Sequence, residues 1–188
     1  MGRFGFAALG ALSLAVAACG GGGDTAGTRP AHSKSTLPVA GPLTMHVSST
    51  AFAGGSRIPA KYTCAGKDIS PPLRWSHPPA SAKELVLLMI DLSAPGGPFT
   101  HWALADIGPS TRRLAAGQVP SGAVAGRNSF GKVGYGGPCP PAGSQHHYVI
   151  ELLALARPLG VSRGFASGAL ARQRPVGTGV LRGTYSRG

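Results

Sequence analysis

Acid is scarce in this chain. Six Asp and Glu stand against 18 Lys and Arg, for a formal net charge of +12. Such a surface is drawn to anionic lipid, cell-wall polymer or nucleic acid. No nucleic-acid recognition motif is present, so nucleic acid is set aside as a partner. The positive charge is densest after Arg157, in Arg163, Arg172, Arg174, Arg182 and Arg187. Scattered, solvated arginines account for it, with weak attraction to anionic lipid as the second reading. Long apolar runs are also lacking. The longest, residues 4–18, is roughly fifteen residues, short of the ~20 that a spanning helix needs. Helical periodicity is almost missing, which argues against a helix bundle. There is no G-x-S-x-G elbow, no H-E-x-x-H and no P-loop, so three common routes to hydrolysis have no sequence support. No internal repeat and no second linker interrupt the chain after its N-terminal region.

What is present begins with an address. Arg3 precedes the apolar segment, which ends in small residues, the pattern of a secretory signal over residues 1–18. Val16-Ala17-Ala18-Cys19-Gly20 resembles the lipobox of bacterial lipoproteins, in which the cysteine becomes the lipidated first residue. Cys19 is therefore the expected lipidation site. Its acyl chains would anchor an exported, extracytoplasmic protein at the cell membrane, at ~0.8 kcal/mol per buried CH₂. Residues 19–40 are rich in Gly, Ser, Thr and Pro and read as a flexible tether. Residues 41–188 are one ordinary domain's length.

Three cysteines occur. With Cys19 lipidated, Cys64 and Cys139 remain in an oxidising compartment, where such a pair usually bridges. A Cys64–Cys139 disulfide is expected.

The domain is organised around residues 84–107. Residues 85–90 are unbroken apolar sequence, too short for a comfortable helix and followed by Pro/Gly punctuation. They read as a strand buried on both faces. The strand ends on Asp91, a turn follows over residues 93–98, and a second strand opens with Phe99-Thr100-His101-Trp102. Other strands are expected at residues 43–48, 145–156 and 177–185, with extended chain around Pro71-Pro72 and a short helix within 161–172. Residues 130–143 are nearly all Gly and Pro around two aromatics and cannot be regular structure. The sum is an all-β domain of packed antiparallel sheets.

Polar groups collect at three strand ends: Asp91, then His101, then His146 with Tyr148. His146 and Tyr148 are two apart and share a face, while His147 takes the other. The Gly/Pro loop lies beside them. With little side-chain bulk it lets backbone N–H groups approach an anion. Two imidazoles and a phenol can donate to phosphate oxygens, and Asp91 can fix a histidine tautomer and raise its pKa. The alternative is that Asp91 caps a turn and His101 is a satisfied core histidine.

These motifs resemble the phosphatidylethanolamine-binding protein family in its bacterial YbhB/YbcL branch, often labelled Raf kinase inhibitor-like. Its D-x-D-A-P signature and following histidine match Asp91-Leu92-Ser93-Ala94-Pro95 and His101-Trp102. Its G-x-x-G-Y-G-G-P-x-P-P signature matches residues 131–141, and H-R-Y matches His146-His147-Tyr148. Tyr62-Thr63-Cys64 and residues 70–75 match further branch motifs. The resemblance implies two packed antiparallel sheets, partly Greek-key, with minor short helices and a pocket at one end. That pocket would be lined by Asp91, Phe99, His101, Pro140, Pro141, His146 and Tyr148 and would take phosphate or a phosphoethanolamine-like headgroup. Two positions depart from the pattern, Ser93 for Asp and His147 for Arg. Losing one negative and one positive charge together suggests that the two family residues balance each other.

The favoured function is thus binding of a small anionic group by a membrane-tethered protein. The alternative by family analogy is a protein-interaction regulator, inhibiting a kinase or protease. A hydrolase built on Asp91, His101 and His146 is the least favoured class. No cofactor or metal is called for.

Overall fold

The computed structural model describes Pro42 and residues 44–188. The signal segment, Cys19 and the tether over 19–40 lie outside the described residues, as does Leu43.

Among the described residues, eight strands form two antiparallel sheets. They are β1 (Val47–Ser48), β2 (Leu73–Trp75), β3 (Glu84–Asp91), β4 (Phe99–Ile107), β5 (Arg113–Leu114), β6 (Val124–Ala125), β7 (Gln145–Leu155) and β8 (Gly177–Ser186). The small sheet runs β1-β2-β5 and the large one β6-β4-β3-β7-β8. Within the large sheet β7 returns beside β3 after β4 and β6 have been laid down on its other side. That 4-1-2-3 arrangement is the Greek-key element. The helix expected within 161–172 is a single 3-10 turn, Ser167–Leu170, and a second 3-10 turn spans Ala60–Tyr62.

β3 is buried at every position. Alternation sends its side chains to two different cores. Leu85, Leu87 and Met89 join Trp102, Leu104, Ile150 and Leu152 against Val47, Leu73, Trp75 and Leu114 of the small sheet. Val86, Leu88 and Ile90 join Ala103, Leu153 and Leu155 under a cover of Leu159, Val161, Phe165 and Leu170. This is why residues 85–90 read as continuous apolar sequence: neither face meets water. Glu84 starts the strand and is itself buried, satisfied by the backbone N–H groups of Asp106 and Leu159.

Cys64 and Cys139 are bridged, with Cα atoms 5.4 Å apart. The bond ties the segment before β2 to the Gly/Pro loop before β7.

Candidate functional site

The large sheet places β4, β3 and β7 side by side. The end of β3 therefore lies between the starts of β4 and β7. Asp91 is in register with Phe99 on one side and Tyr148 on the other. Simple alternation along β4 would put Phe99 and His101 on one face and Trp102 and Leu104 on the other. The ladder prevents this. Met89 pairs with Trp102 and Ile90 with Thr100, leaving His101 as an extra residue in a β-bulge. The bulge re-aims the strand, so His101 reaches Asp91 while Trp102 stays in the inter-sheet core.

Asp91 is the hub. Its Oδ2 accepts from His146 Nδ1 at 2.6 Å and lies 4.0 Å from His101 Nε2. Its Oδ1 accepts the Ser93 N–H at 2.8 Å. It thus caps the turn and holds a histidine at once. His101 Nδ1 is 2.7 Å from the Gly136 carbonyl, which can only accept, so the proton sits on Nδ1. That leaves Nε2 facing the site. Burial holds the His101 pKa below the ordinary histidine value, although the Gly136 carbonyl and Asp91 pull it upward. Asp91 does pull the His101 pKa upward as expected, but desolvation of the imidazolium outweighs a carboxylate 4.0 Å away and the net shift is downward.

The glycine loop does a different job from the one its composition suggested. Two of its amides are taken by protein acceptors: Gly136 N–H by the His101 carbonyl and Gly137 N–H by Asp68 Oδ1. What it offers the site is a carbonyl that orients His101. Small residues are required for close approach. A Cβ on Gly137 would lie 2.7 Å from the Tyr62 carbonyl oxygen, and one on Gly136 would lie 2.8 Å from the Phe130 ring.

A cavity of about 180 Å³ opens at this point, lined by Asp91, Phe99, His101, Pro141 and His146 among the expected residues. Pro140 is buried in the loop and does not line it. Tyr148 lies below the lining, 1% exposed, with its ring 5.3 Å from that of His101. Its hydroxyl makes no hydrogen bond among the described residues. Burial, with the Asp91 charge second, pushes its pKa well above the ordinary phenol value, so it stays protonated.

Sequence reasoning missed four lining residues: Ala94, Pro95, Phe130 and Cys139. Phe130 is half-exposed and packs edge-on against both Phe99 (4.7 Å) and His101 (5.3 Å). Its place next to the Gly-rich signature was the available signal. Ser93 and His147, the two departures from the family pattern, are neighbours. Ser93 Oγ accepts the His147 backbone N–H at 3.0 Å and lies 3.3 Å from its Nδ1.

Comparison with known proteins agrees with this architecture. A family model described as phosphatidylethanolamine-binding protein matches residues 48–186. A Mycobacterium tuberculosis protein named "Putative lipoprotein LppC" is 42% identical over 188 residues, covering 93% of this chain and 92% of that protein. The crystal structure of the Chlamydia trachomatis phosphatidylethanolamine-binding protein homologue CT736 superposes with a TM-score of 0.72 at 36% identity. It covers 77% of this chain and 98% of the other. E. coli YbcL, described as a member of the mammalian family, gives a TM-score of 0.72 at 28% identity, covering 77% and 99%. With the family model spanning most of the chain, and solved members sharing its sheets, this protein belongs to the phosphatidylethanolamine-binding protein family.

Proposed function

We propose that the Asp91–His101–His146 cavity binds a small anionic group, phosphate or a phosphoethanolamine-like headgroup, in an exported protein held at the membrane through Cys19. The observation that carries the reading is the disposition of His101. Its Nδ1 proton is committed to the Gly136 carbonyl, and its Nε2 looks into a cavity shared with the Asp91-bound His146. A carboxylate in an anion site is repulsive unless occupied. Here both Asp91 oxygens already accept hydrogen bonds. The remaining negative charge disfavours a dianion and suits a protonated monoanion or a zwitterion. The neutral His101 Nε2 can accept a proton from a monoanionic ligand, or take one from solvent as the anion arrives. The membrane address rests on the lipobox-like sequence at Cys19 and on the name of the mycobacterial relative.

Because burial depresses the His101 pKa, an incoming anion restores it and takes up a proton. Affinity for phosphate should therefore rise as pH falls from 8 towards 6. The test is a thermal-shift titration with phosphate, phosphoethanolamine and a sulfate control. At 100 times Kd, binding stabilises the native state by about 2.7 kcal/mol, a rise of roughly 5–10 °C for a chain of this size. His101→Ala should abolish it. No saturable shift with any of the three, or a shift unchanged in His101→Ala, would refute the reading.

A further inference from the structure

The outer face of the small sheet carries a second feature. In β2 and β5 the residues Leu73, Trp75 and Leu114 point into the core, so Arg74 and Arg113 point out. The register sets these two arginines directly opposite each other, with Ser48 completing the row on β1. Like charges in that position destabilise a sheet. Arg112 adds a third. It is pinned by Nη1 donation to the Pro109 and Thr111 carbonyls, and its buried Nε has no partner among the described residues. Two grooves meet over Arg74 and Arg113, of about 530 and 420 Å³, the first also holding Arg112 and Ser110.

No described carboxylate pairs with this cluster. Among the described residues the side-chain ion pairs are those of Asp91 with the two histidines. Glu84, Asp91 and Glu151 are buried. Of the remaining described acids, Asp68 accepts the Gly137 N–H and Asp106 lies near the end of β4; neither forms an ion pair with these arginines. A sheet face that aligns arginines with no ion-pair partner among the described residues is complementary to an anionic surface. The same sheet receives the chain from its N-terminal side: Thr44 and Met45 lead directly into β1, one strand from Arg74. About 25 residues separate Cys19 from Thr44.

We propose that Arg74, Arg112 and Arg113 dock the outer face of the small sheet onto the anionic lipid surface at which the chain is anchored. That surface rests on the anchor proposed above, whereas the affinity of the arginine face does not depend on it. The full chain carrying Cys19→Ala, which cannot be acylated, is sedimented with vesicles of phosphatidylcholine alone or with 30% phosphatidylglycerol (roughly the anionic content needed for a strong surface potential). The readout is the ratio of the two affinities, in which any contribution of the apolar residues 4–18 cancels. The Arg74→Ala/Arg113→Ala double variant spares Arg112 and its loop contacts. At about 1 kcal/mol for each arginine near an anionic leaflet, it should lower that ratio about 30-fold, and the wild-type ratio should fall with added salt. The charge-matched Arg157→Ala/Arg163→Ala variant alters exposed arginines on the cover of the opposite face of the large sheet. It should lower the ratio less than threefold. Equal losses in the two variants would reduce the effect to net charge and overturn the proposal, as would an unchanged ratio in Arg74→Ala/Arg113→Ala. Acylation of Cys19 is read separately from the mass of the mature N-terminus, so loss of the anchor reading is distinguishable from loss of the docking face.

Discussion

Glu151 is a carboxyl in the wrong place for stability. It sits mid-strand in β7, in register with Leu88 and Val180, on the face shared by Val149 and Leu153. It is 3% exposed, and its Oε2 has no partner among the described residues. Burial pushes its pKa up to about 7 from 4.5. The native state therefore holds a proton that the unfolded chain releases above about pH 4.5. Stability is undiminished below that value and declines as pH rises through 7, where the native carboxyl must ionise without a counter-charge. At ~1.4 kcal/mol per tenfold in the proton equilibrium, the ceiling of the loss is about 3 kcal/mol. Roughly half of that is expected once screening through the thin cover over this face is allowed for. Glu151→Met keeps the volume and removes both oxygens, so it should stabilise the protein by about 1–2 kcal/mol at pH 8, or ~3–6 °C in Tm. The gain should shrink towards zero near pH 4.5. Thermal unfolding of both proteins across pH 4.5–8 gives the answer. A difference in Tm that does not change with pH would mean that Glu151 is hydrated and ionised throughout, and the argument from burial would fail.

Two further outcomes are expected. The Cys64–Cys139 bridge closes a loop with a sequence separation of 75, worth about 4 kcal/mol in the chain-entropy picture. Cys64→Ser/Cys139→Ser should lower the urea midpoint accordingly and weaken phosphate binding as well, since Cys139 lines the cavity; a loss below ~1 kcal/mol would contradict this. Ser93→Asp places a new carboxylate against His147 and next to Asp91, so it should weaken phosphate binding severalfold. Adding His147→Arg should restore it; identical affinities in the single and double variants would dispose of the charge-balance idea.

Much of the architecture was legible because it rests on local rules. A six-residue apolar run bounded by turn chemistry can only be a strand with two dry faces, and β3 is one. Consecutive prolines excluded helix before β2, and the Gly/Pro segment before β7 has no regular structure. Cysteine parity in a chain read as exported pointed to the disulfide that is present. Alternation in β7 placed His146 and Tyr148 on one face and His147 on the other, since a strand's period of two depends on nothing distant.

What the tertiary structure decided concerns relations between segments that share no local rule. A bulge depends on how two strands register, so nothing in Phe99-Thr100-His101-Trp102 announces that His101 is the extra residue. The glycine loop's flexibility was plain from composition, but its use was not. Its Gly136 and Gly137 amides are taken by His101 and Asp68, and its Gly136 carbonyl sets a histidine tautomer. Burial reversed the expected direction of the His101 pKa, because desolvation depends on everything packed around a group and charge proximity on one neighbour. Phe130, the Arg74–Arg113 pair and the contact of Ser93 with His147 likewise exist only once the sheets assemble. By itself the sequence determined the main strands, though not the short β5 and β6, which residue types gather at their ends and which family the chain resembles. The packed sheets determined which of those residues meet, which way each histidine points and what charge the site can hold, because contact, register and solvent exclusion are properties of the assembled chain.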